Sequence, residues 1–338
     1  MADTFTINNI PSPTWNWLHM NDARIEGING NKSDCKIETE GFNFEERKSF
    51  NLSEVRTGMG EEIKKAVEER GSVLAFSAKA GTENKARLNF EYADSSVNGV
   101  EITLEKDAKA LVIMNMSGLD CESEATLQTR YHVAEGACLT LVQIERVSKD
   151  AKFYNDIGGR VLEDGEFKLI QLILGGHENY YGTFSALEGK RAAFTSDVAY
   201  LLAGDEKLDI NTVSDHTGKK TFCDINVSGV LRDSAKKVFR GTIDFHRGCA
   251  GAKGNEMENV LLMDEGVWNQ TIPVILCDEE DVEGNHGASI GNIDEELLFY
   301  MKSRGIEEKA VYEMMADALV ESVAAKIPDE STREELAR

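Results

Sequence analysis

The central part of the chain, from about residue 71 to 285, reads almost entirely as short strands, some apolar throughout and some alternating between apolar and polar residues with the two-residue period of a β-strand. In two segments the alternation is clean, which predicts one buried face and one face open to water or to a partner. The opposed faces are Phe239, Ile243 and Phe245 against Arg240, Thr242, Asp244 and His246, and Cys223, Ile225 and Val227 against Asp224, Asn226 and Ser228.

Turn signals separate these strands at loosely regular intervals: Glu135-Gly136, Asp164-Gly165, Glu188-Gly189 and Ala203-Gly204. No amphipathic helix interrupts the series, which excludes a doubly wound α/β fold. Stacked coils fit the turn spacing better than a sandwich does. The pattern therefore predicts a mainly β core over residues 71–289 and favours the stacked coils of a β-helix (β-solenoid) over a sandwich, which the degenerate repeat leaves open.

Helical patterns flank this core on both sides. Before it, the polar stretch 53–70 reads as a helix closed by Gly71, so residues 1–70 are predicted to be an N-terminal segment with a short helix. After it, residues 290–338 are predicted to form a small C-terminal helical domain.

The helical domain is predicted to contain two helices. The first starts in the segment Asn292-Ile293-Asp294-Glu295, where the capping side chain of Asn292 is followed three residues later by Glu295 in a capping-box pattern, and it ends at Gly305. The second starts after Ile306 and is stopped by Pro328. The charged tail 329–338 is expected to fray. The apolar stripe of the second helix consists of Val311, Met315, Leu319, Val323 and Ile327, with Ala310, Met314 and Ala318 beside it.

Composition narrows the class of protein. A formal net charge of −23 predicts a surface that repels nucleic acid and anionic lipid. The six cysteines are scattered without a dense spacing, which indicates free thiols in a reducing cytoplasm. No apolar run approaches the roughly 20 residues of a membrane helix, and the first residues lack a secretory pattern. We therefore expect a cytoplasmic protein that binds neither nucleic acid nor membrane.

Motifs for nucleotide binding and for common catalytic chemistries are missing. Gly189-Lys190 and Gly218-Lys219 lack both the upstream glycine and the following Ser/Thr of a P-loop. The glycines at 248, 251 and 254 do not form a dinucleotide fingerprint. No Gly-x-Ser-x-Gly, His-Glu-x-x-His or Cys-x-x-Cys occurs. The chain itself is therefore expected to bind no nucleotide.

Soft and borderline metal ligands occur in the later strands, at a spacing that matches no compact metal motif: His216, Cys223, His246, Cys249, Cys277 and His286. Several have an ordinary structural explanation. Cys223 falls in the apolar register of its strand, His216 is equally well a turn histidine, and Cys277 is equally well the end of a strand. His246 is on a polar face. His286 lies in a glycine-rich, acidic loop that offers no packing reason for it, so it is the first candidate for function.

Seven segments in the last third of the chain form an ordered series: Phe239-Arg240-Gly241-Thr242-Ile243, Asn259-Val260-Leu261-Leu262-Met263, Thr271-Ile272-Pro273, Glu280-Asp281-Val282, His286-Gly287-Ala288-Ser289-Ile290-Gly291, Asp294-Glu295 and Leu298-Phe299-Tyr300-Met301-Lys302-Ser303-Arg304-Gly305-Ile306. Through them the chain resembles the SufB/SufD family of iron–sulfur cluster assembly proteins. The opening segment, Thr14-Trp15-Asn16-Trp17-Leu18, also resembles the start of short, single-gene members of that family.

The resemblance implies a right-handed parallel β-helix followed by a small helical domain. It implies a dimer through the late coils, with a second copy or a SufB/SufD paralogue as partner. It also implies a scaffold subunit, not an enzyme, whose C-terminal helices dock SufC, an ABC-type ATPase. The residues expected to dock the ATPase are Leu298, Tyr300, Met301, Arg304, Met314 and Met315.

The resemblance also bears on the candidate ligands. His286 matches the histidine of the family's His-Gly-Ala-Thr segment, which in SufD-like members lies at the dimer interface, where a transient iron–sulfur cluster forms. Gly284 and Val267-Trp268 stand where family members often carry cysteine, so the chain is nearer to SufD or to a short type that works as a homodimer. The candidate cluster or iron ligands are then His286, Cys277, Cys249, His246 and Glu283, with His286 and Cys277 as the metal ligands.

Two alternatives stay open. In one, the chain is a structural subunit of the same complex through which iron enters, and it holds no cluster. In the other, it is a β-helix enzyme that acts on polysaccharide, with Asp224, Asp244 and Arg240 supplying a catalytic groove. The features of a cytoplasmic protein argue against an extracellular polysaccharide as substrate.

Overall fold

A computed structural model describes residues 4–12, 16–18, 20–119 and 122–337. Thr14, Trp15 and Cys121 lie outside these residues. Two nine-stranded sheets face each other in a β-solenoid, and helices follow at the C-terminus, so the predicted mainly β architecture is confirmed.

Consecutive strands alternate between the two sheets. The first sheet contains, in spatial order, β4 (Asn43–Arg47), β5 (Val73–Ala78), β7 (Ser96–Leu104), β9 (Glu124–Val133), β11 (Lys152–Val161), β13 (Glu178–Leu187), β15 (Lys207–His216), β17 (Lys236–Phe245) and β19 (Trp268–Cys277). The second contains β3 (Cys35–Glu40), β6 (Glu83–Tyr92), β8 (Lys109–Gly118), β10 (Cys138–Val147), β12 (Glu166–Ile173), β14 (Ala193–Leu202), β16 (Phe222–Leu231), β18 (Ala252–Leu262) and β20 (Val282–Gly291). The other elements are β1 (Thr4–Ile7), β2 (Ala23–Glu26), a 3₁₀ turn (Asn16–Leu18), α1 (Glu61–Arg70), α2 (Glu295–Ser303), α3 (Glu308–Ala324) and α4 (Glu330–Leu336).

From β5 and β6 onward, the strands within each sheet are parallel and stack in register. Cys138 of β10, for example, pairs with Lys109 of β8 on one side and Glu166 of β12 on the other. Side chains that contact each other across adjacent turns are therefore about one turn apart in the chain, for example 28 residues for Cys138 and Glu166 and 31 for His246 and Asp215. The turn signals read from the sequence lie between strands, and Gly136 and Gly204 adopt positive φ there, which glycine does without steric cost.

The apolar face of each strand points into the lumen of the solenoid. Phe239, Ile243 and Phe245 are completely buried, as the alternation predicts. Aromatic rings stack from turn to turn, with Phe167 and Phe194 at a centroid distance of 5.5 Å. Each such side chain contributes about 1.5–3 kcal/mol through burial, so the stacked lumen supplies most of the driving force for the fold.

Part of the outer face of the first sheet is covered, and the prediction of an open face was wrong for Arg240 and Thr242. The N-terminal segment lies across this face. Arg240 donates hydrogen bonds to the backbone oxygens of Met20 (2.6 Å) and Asp22 (3.0 Å) and to Asp209 Oδ1 (2.6 Å). Arg240 is 2% exposed and Thr242 is fully buried. Alternation identifies the residues that share a face, but it does not reveal that a distant segment covers that face.

Two glycines allow the N-terminal segment to approach the sheet closely. A Cβ atom on Gly158 would lie 2.1 Å from the carbonyl oxygen of Arg56, and one on Gly182 would lie 2.4 Å from Met59 Cγ. Any larger residue at either position would push the segment off the sheet.

This packing explains why the helix predicted over 53–70 is shorter than expected. Gly58 N donates to the Ile157 carbonyl oxygen (3.1 Å), so the chain still follows the sheet at this point. Gly60 adopts a φ of 108°, and α1 begins only at Glu61. The first half of the predicted helix is therefore not helical.

The C-terminal helices pack on the outer face of the second sheet. Asp294 caps α2 by accepting hydrogen bonds from the backbone N–H groups of Glu296 and Leu297 (3.0 Å each), so the cap lies two residues after the predicted Asn292. Helix α3 lies over β12, β14 and β16. Among the described residues, no helix has the length and apolarity needed to cross a bilayer. The apolar contact under the end of α3 involves Val323, Ile327, Ile113, Val142, Ile170 and Leu172.

The charged tail after Pro328 forms α4, so the expectation that it frays was wrong. Asp329 caps this helix by accepting from Thr332 N (2.9 Å). Its carboxylate also accepts hydrogen bonds from Lys85 Nζ (2.5 Å) and from the guanidinium of Arg87 (2.9 Å), both on β6. The partners lie more than 240 residues away in the chain, which is why local composition suggested a free tail.

The two ends of the solenoid differ. At one end, β3 runs antiparallel to β6 and β4 antiparallel to β5, so two reversed strands close the first turn. At the other end, β19 and β20 are edge strands, and no strand among the described residues pairs with their outer edges. We call the surface formed by β19 and β20 the open end.

Candidate functional site

The open end presents the inward-facing side chains of the last turn. Strand register identifies them, because a residue stacked on an inward-facing residue shares its direction. The register pairs are Phe239–Thr271, Gly241–Pro273, Ile243–Ile275 and Phe245–Cys277 in the first sheet, and Gly254–Gly284, Glu256–His286 and Glu258–Ala288 in the second.

His286 and Cys277 both lie at the open end, but they do not face each other. A Cβ atom on Gly284 would lie 3.2 Å from Ile275 Cδ1, so residues 275 and 284 are opposed across the lumen. The chain folds back between these two positions. Residue 277 is therefore opposed to residue 282, and Pro273 is opposed to His286. Cys277 lies near the turn that joins β19 to β20.

The two candidate thiols differ in availability. Cys277 is exposed, and its Sγ donates to the carbonyl oxygen of Glu279 (3.0 Å). Cys249, in the turn after β17, is buried. Burial, together with the charge of Glu279, raises the pKa of the Cys249 thiol to about 11. Since the thiolate is the form that binds metal, Cys277 is the more available ligand of the two.

A buried carboxyl group lies beneath His286, and sequence reasoning missed it. Glu256 pairs with His286 in register and is 4% exposed. Its Oε2 has no hydrogen-bond partner among the described residues. A Cβ atom on Gly241 would lie 2.2 Å from this oxygen, so the side chain reaches across the lumen. Burial and the charge of Glu258 raise the pKa of Glu256 to about 8.

A buried ion pair lies next to Glu256. Lys237 Nζ contacts Glu258 Oε1 and lies 3.2 Å from Thr271 Oγ1, which donates to Glu258 Oε2. Burial lowers the pKa of Lys237, against the opposing effect of Glu258. The burial of these charges could have been inferred from the strand register, because the buried Ile225 and Val227 of β16 pair with Glu256 and Glu258. The lumen thus becomes polar just below the open end.

His246 and Glu283 point to the outer surface, away from the lumen. His246 Nε2 lies 2.7 Å from Asp215 Oδ1 and 3.5 Å from Asp244 Oδ2. The hydrogen bond with Asp215 raises the pKa of His246. Glu283 accepts a hydrogen bond from Lys253 Nζ (2.8 Å). Neither side chain shares a face with His286.

The structural explanations hold for His216 and Cys223. His216 is fully buried between Ser214 Oγ (3.0 Å) and Thr221 Oγ1 (2.8 Å), and burial lowers its pKa to about 3. Cys223 is fully buried in the lumen. The five cysteines that the structure describes are free thiols, as predicted.

The residues suggested for a polysaccharide site do not form one. Arg240 is buried and paired with Asp209 (2.6 Å). Asp224 lies on β16 of the second sheet, whereas Asp244 lies on β17 of the first. A catalytic groove would need these groups on one surface.

Three of the six residues predicted to dock an ATPase pack inward. Leu298, Met301 and Met315 are half-buried against the outer face of the second sheet, where they contact the cluster around Val230 and Leu261. Their first role is to attach the helical domain to the solenoid.

The other three form an exposed surface. Tyr300 and Met314 are 52% and 51% exposed, and the guanidinium of Arg304 lies 5.2 Å from the Tyr300 ring centroid. Phe299, which was not among the predicted residues, is 75% exposed, and Leu297 is exposed beside it. We call Leu297, Phe299, Tyr300, Arg304 and Met314 the helical patch.

The sequence of this chain is similar to the sequences of known proteins. The family model "SUF system FeS cluster assembly, SufBD core domain" matches residues 87–319. Iron-sulfur cluster assembly protein SufD of Escherichia coli (strain K12) is 24% identical over 279 residues, 78% of this chain and 65% of the relative. SufD of Bacillus subtilis (strain 168) is 29% identical over 133 residues, 39% of this chain and 30% of the relative. The matches thus span less than two thirds of either relative's length.

Proposed function

Because the chain belongs to the SufBD family of the SUF iron–sulfur cluster assembly system, we propose that it is a scaffold subunit on which a transient cluster is assembled. The observation that carries this proposal is the open end, where an exposed histidine lies above a buried, unpaired carboxyl oxygen of Glu256. The cluster is the cargo of the protein, built there and passed on.

A second protomer covers the open end in this proposal, either a copy of the chain or a SufB/SufD paralogue. The edge strands offer backbone groups and inward-facing apolar side chains, Ile275 and Val282, that are only partly buried. Covering them removes apolar surface from water, which stabilises by about 25 cal/mol per Å². The same contact would enclose His286 and exclude water from a bound cluster.

The ligand set is completed across that interface. His286 supplies an imidazole, a known donor to iron–sulfur centres, and Cys277 supplies a thiol. Because 277 and 286 are not opposed across the lumen, the two side chains of one protomer do not chelate a single ion. Each therefore combines with ligands of the partner.

The helical patch is the docking surface for an ABC-type ATPase of the SufC kind. Its aromatic and methionine side chains are apolar, adaptable and exposed. Nucleotide binding to the ATPase would move the helical domains and so bias the dimer between a closed and an open interface. The chain is then a binding and assembly subunit, and the ATPase supplies the nucleotide site.

The test is anaerobic reconstitution with Fe²⁺ and sulfide, using the chain co-purified with its assembly partners. His286→Ala should remove the brown iron–sulfur absorption while the ATPase still co-purifies. His132→Ala, a half-buried histidine on the outer surface, is the matched control and should retain the absorption. An unchanged cluster yield in His286→Ala would refute the role of His286.

A second candidate keeps the family and removes the cluster from this chain. The observation that favours it is the scarcity of thiolate at the open end, where Cys277 is near the corner and Cys249 is buried. In that case the chain is a structural subunit through which iron enters. Reconstitution separates the two candidates, since an absorption unaffected by both His286→Ala and Cys277→Ser would support the second.

A further inference from the structure

Three metal-ligand side chains meet on the outer surface of the first sheet, outside the open end. Asp215 is on β15, Asp244 is on β17, and His246 follows β17 directly. Asp215 and Asp244 are register partners, so the two carboxylates stack on adjacent turns. The ligand atoms of the three side chains all lie within 4.8 Å of one another. Within the described residues, no other group of three such side chains meets this condition.

Two of the three separations between ligand atoms lie near those found around a bound divalent ion. Ligand atoms about 2.1 Å from a metal ion are separated by roughly 3.0–3.4 Å at octahedral or tetrahedral angles. The observed separations from His246 Nε2 are 2.7 Å to Asp215 Oδ1 and 3.5 Å to Asp244 Oδ2. The carboxylate oxygens of Asp215 and Asp244 lie no more than 4.8 Å apart, so side-chain rotations can bring all three atoms around one ion.

The surroundings add charge and unfilled hydrogen-bonding capacity. Asp278 N donates to the Phe245 carbonyl oxygen (2.8 Å), so residue 278 stacks beside 246 on the next turn and adds a further carboxylate within electrostatic range. Thr242 is fully buried on the outer-facing register of β17, next to Asp244. Its Oγ1 has no hydrogen-bond partner among the described residues.

The site is also accessible. The side chains of Asp215 and Asp244 are each 18% exposed and that of His246 is 41% exposed. Asp215 lines a cleft of about 370 Å³ between the sheet and the N-terminal segment. Arg56 and Arg160 line the same cleft, and the guanidinium of Arg56 is stacked over the Phe184 ring at 4.5 Å. An ion can enter while three side chains still surround it on the protein side.

We propose that Asp215, Asp244 and His246 form a binding site for one divalent transition-metal ion, separate from the open end. One imidazole and two carboxylates suit a borderline ion such as Fe²⁺, Mn²⁺, Co²⁺ or Zn²⁺. Water fills the remaining coordination positions on the exposed side. The site does not depend on the proposed cluster site, because it shares no residue with it and lies on the opposite side of the sheet from the lumen.

The test uses Co²⁺ as probe with the full metal-free chain under anaerobic conditions. We expect one bound equivalent with weak d–d absorption and without the intense thiolate-to-cobalt band that binding at a cysteine would produce. His246→Gln and, separately, Asp244→Asn should each weaken binding by about tenfold or more. Circular dichroism and thermal unfolding of both variants confirm that they fold.

A matched control is His177→Gln. His177 Nε2 lies 3.2 Å from Asp205 Oδ1 in a comparable histidine–aspartate pair that lacks a third ligand. This variant should bind Co²⁺ as the wild type does, and so should Cys277→Ser and His286→Ala. Absence of a stoichiometric Co²⁺ site in the wild type would overturn the proposal, and so would unchanged affinity in both His246→Gln and Asp244→Asn. Cluster reconstitution at the open end is a separate measurement. A failure of the Asp215–Asp244–His246 proposal can therefore be told apart from a failure of the proposed function.

Discussion

At the N-terminal end of the solenoid, β3 and β4 run antiparallel to the first turn and close it, whereas at the C-terminal end no described strand lies beyond β19 and β20. The lumen differs in the same direction. Near the closed end it is filled by Phe76, Phe90 and Leu88, all buried. Near the open end it contains Lys237 and Glu258, also buried, as a charged pair.

The two ends thus differ both in how they are closed and in the polarity of the lumen beside them. A chain that closes one end by itself gains an apolar core without a partner. Buried charges add little net stability, since desolvation offsets most of their attraction. Their position beside the end that lacks a closing strand fits a surface that is completed by another protomer. Four predictions test the comparison, in order of the expected change in the free energy of unfolding.

The largest effect is expected from truncation near the closed end. Phe90→Ala removes a fully buried ring and should lower the free energy of unfolding by about 3–5 kcal/mol. Ile275→Ala at the open end should cost only about 1 kcal/mol in the isolated chain, because its side chain is partly exposed. Urea unfolding followed by circular dichroism measures both values, and equal losses would contradict the contrast between the ends.

The charged pair below the open end should be the next most sensitive. Glu258→Gln leaves Lys237 buried without its counter-charge, which should cost about 3 kcal/mol. The double variant Lys237→Met with Glu258→Leu should recover most of this loss, because it removes both charges together. If the single and double variants are equally destabilised, the loss comes from packing and not from an unpaired charge.

A smaller effect is expected where the C-terminal tail is attached near the closed end. Burial would raise the pKa of Asp329, but hydrogen bonds from Lys85, Ser331 and Thr332 together lower it below 3.8. Because the folded-state pKa is lowered, the stabilisation is present above the unfolded-state pKa and is lost as pH falls through the folded-state value.

Asp329→Asn should therefore release α4 at neutral pH and cost about 1 kcal/mol. Hydrogen exchange of the backbone amides of α4 is the measurement, with the wild type showing the same release only in strong acid. Glu334→Gln, an exposed position on the same helix, is the control. Unchanged exchange in Asp329→Asn would show that the apolar contacts of the helix attach it without the carboxylate.

The smallest change in stability, and the largest in assembly, is expected on the open end itself. Ala288 is exposed and inward-facing on β20, so Ala288→Arg should alter the free energy of unfolding by no more than about 0.5 kcal/mol. It should nevertheless prevent association with a second copy or a paralogue, as measured by analytical ultracentrifugation. Ala80→Arg, in an exposed turn near the closed end, should leave association intact. Association that survives Ala288→Arg would show that the protomers meet elsewhere.

Local pattern was sufficient for the strands but not for the solenoid, because it favoured stacked coils over a sandwich and only the family resemblance implied a β-helix. The short strands over residues 71–285 and the acidic or glycine turns required only neighbouring residues, and the burial of Phe239, Ile243 and Phe245 confirmed the assignment of faces. The start of α2 was likewise predictable to within two residues, with the cap at Asp294 instead of Asn292, since its hydrogen bonds span only two and three residues.

Long-range packing was not predictable in the same way. The cover over Arg240 comes from residues about 220 positions earlier in the chain, and the anchor of Asp329 from residues about 240 positions earlier. Both regions have sequences that suit an exposed surface. Only the positions of Met20, Asp22, Lys85 and Arg87 in space make them interior.

The candidate site was likewise predictable from sequence only in part. His286 was identified from sequence, because nothing in its own segment explained it and because the segment matches a known family. Glu256 was not identified from sequence, although it lies directly beneath His286. Seeing that the two residues stack requires the strand register between positions 30 residues apart. The separation of Cys277 from His286 likewise follows from the direction in which the chain folds back after β19.

The sequence by itself determined the strand period, the inward and outward faces, the helices that follow and the family, because each depends on residues a few positions apart or on an ordered motif series. Tertiary structure decided which faces are covered, which ligands share a surface and which end of the solenoid has no closing strand. Those properties depend on stacking across turns and on contacts between distant segments, and no local pattern of polar and apolar residues encodes them. The meeting of Asp215, Asp244 and His246 is one result of that stacking.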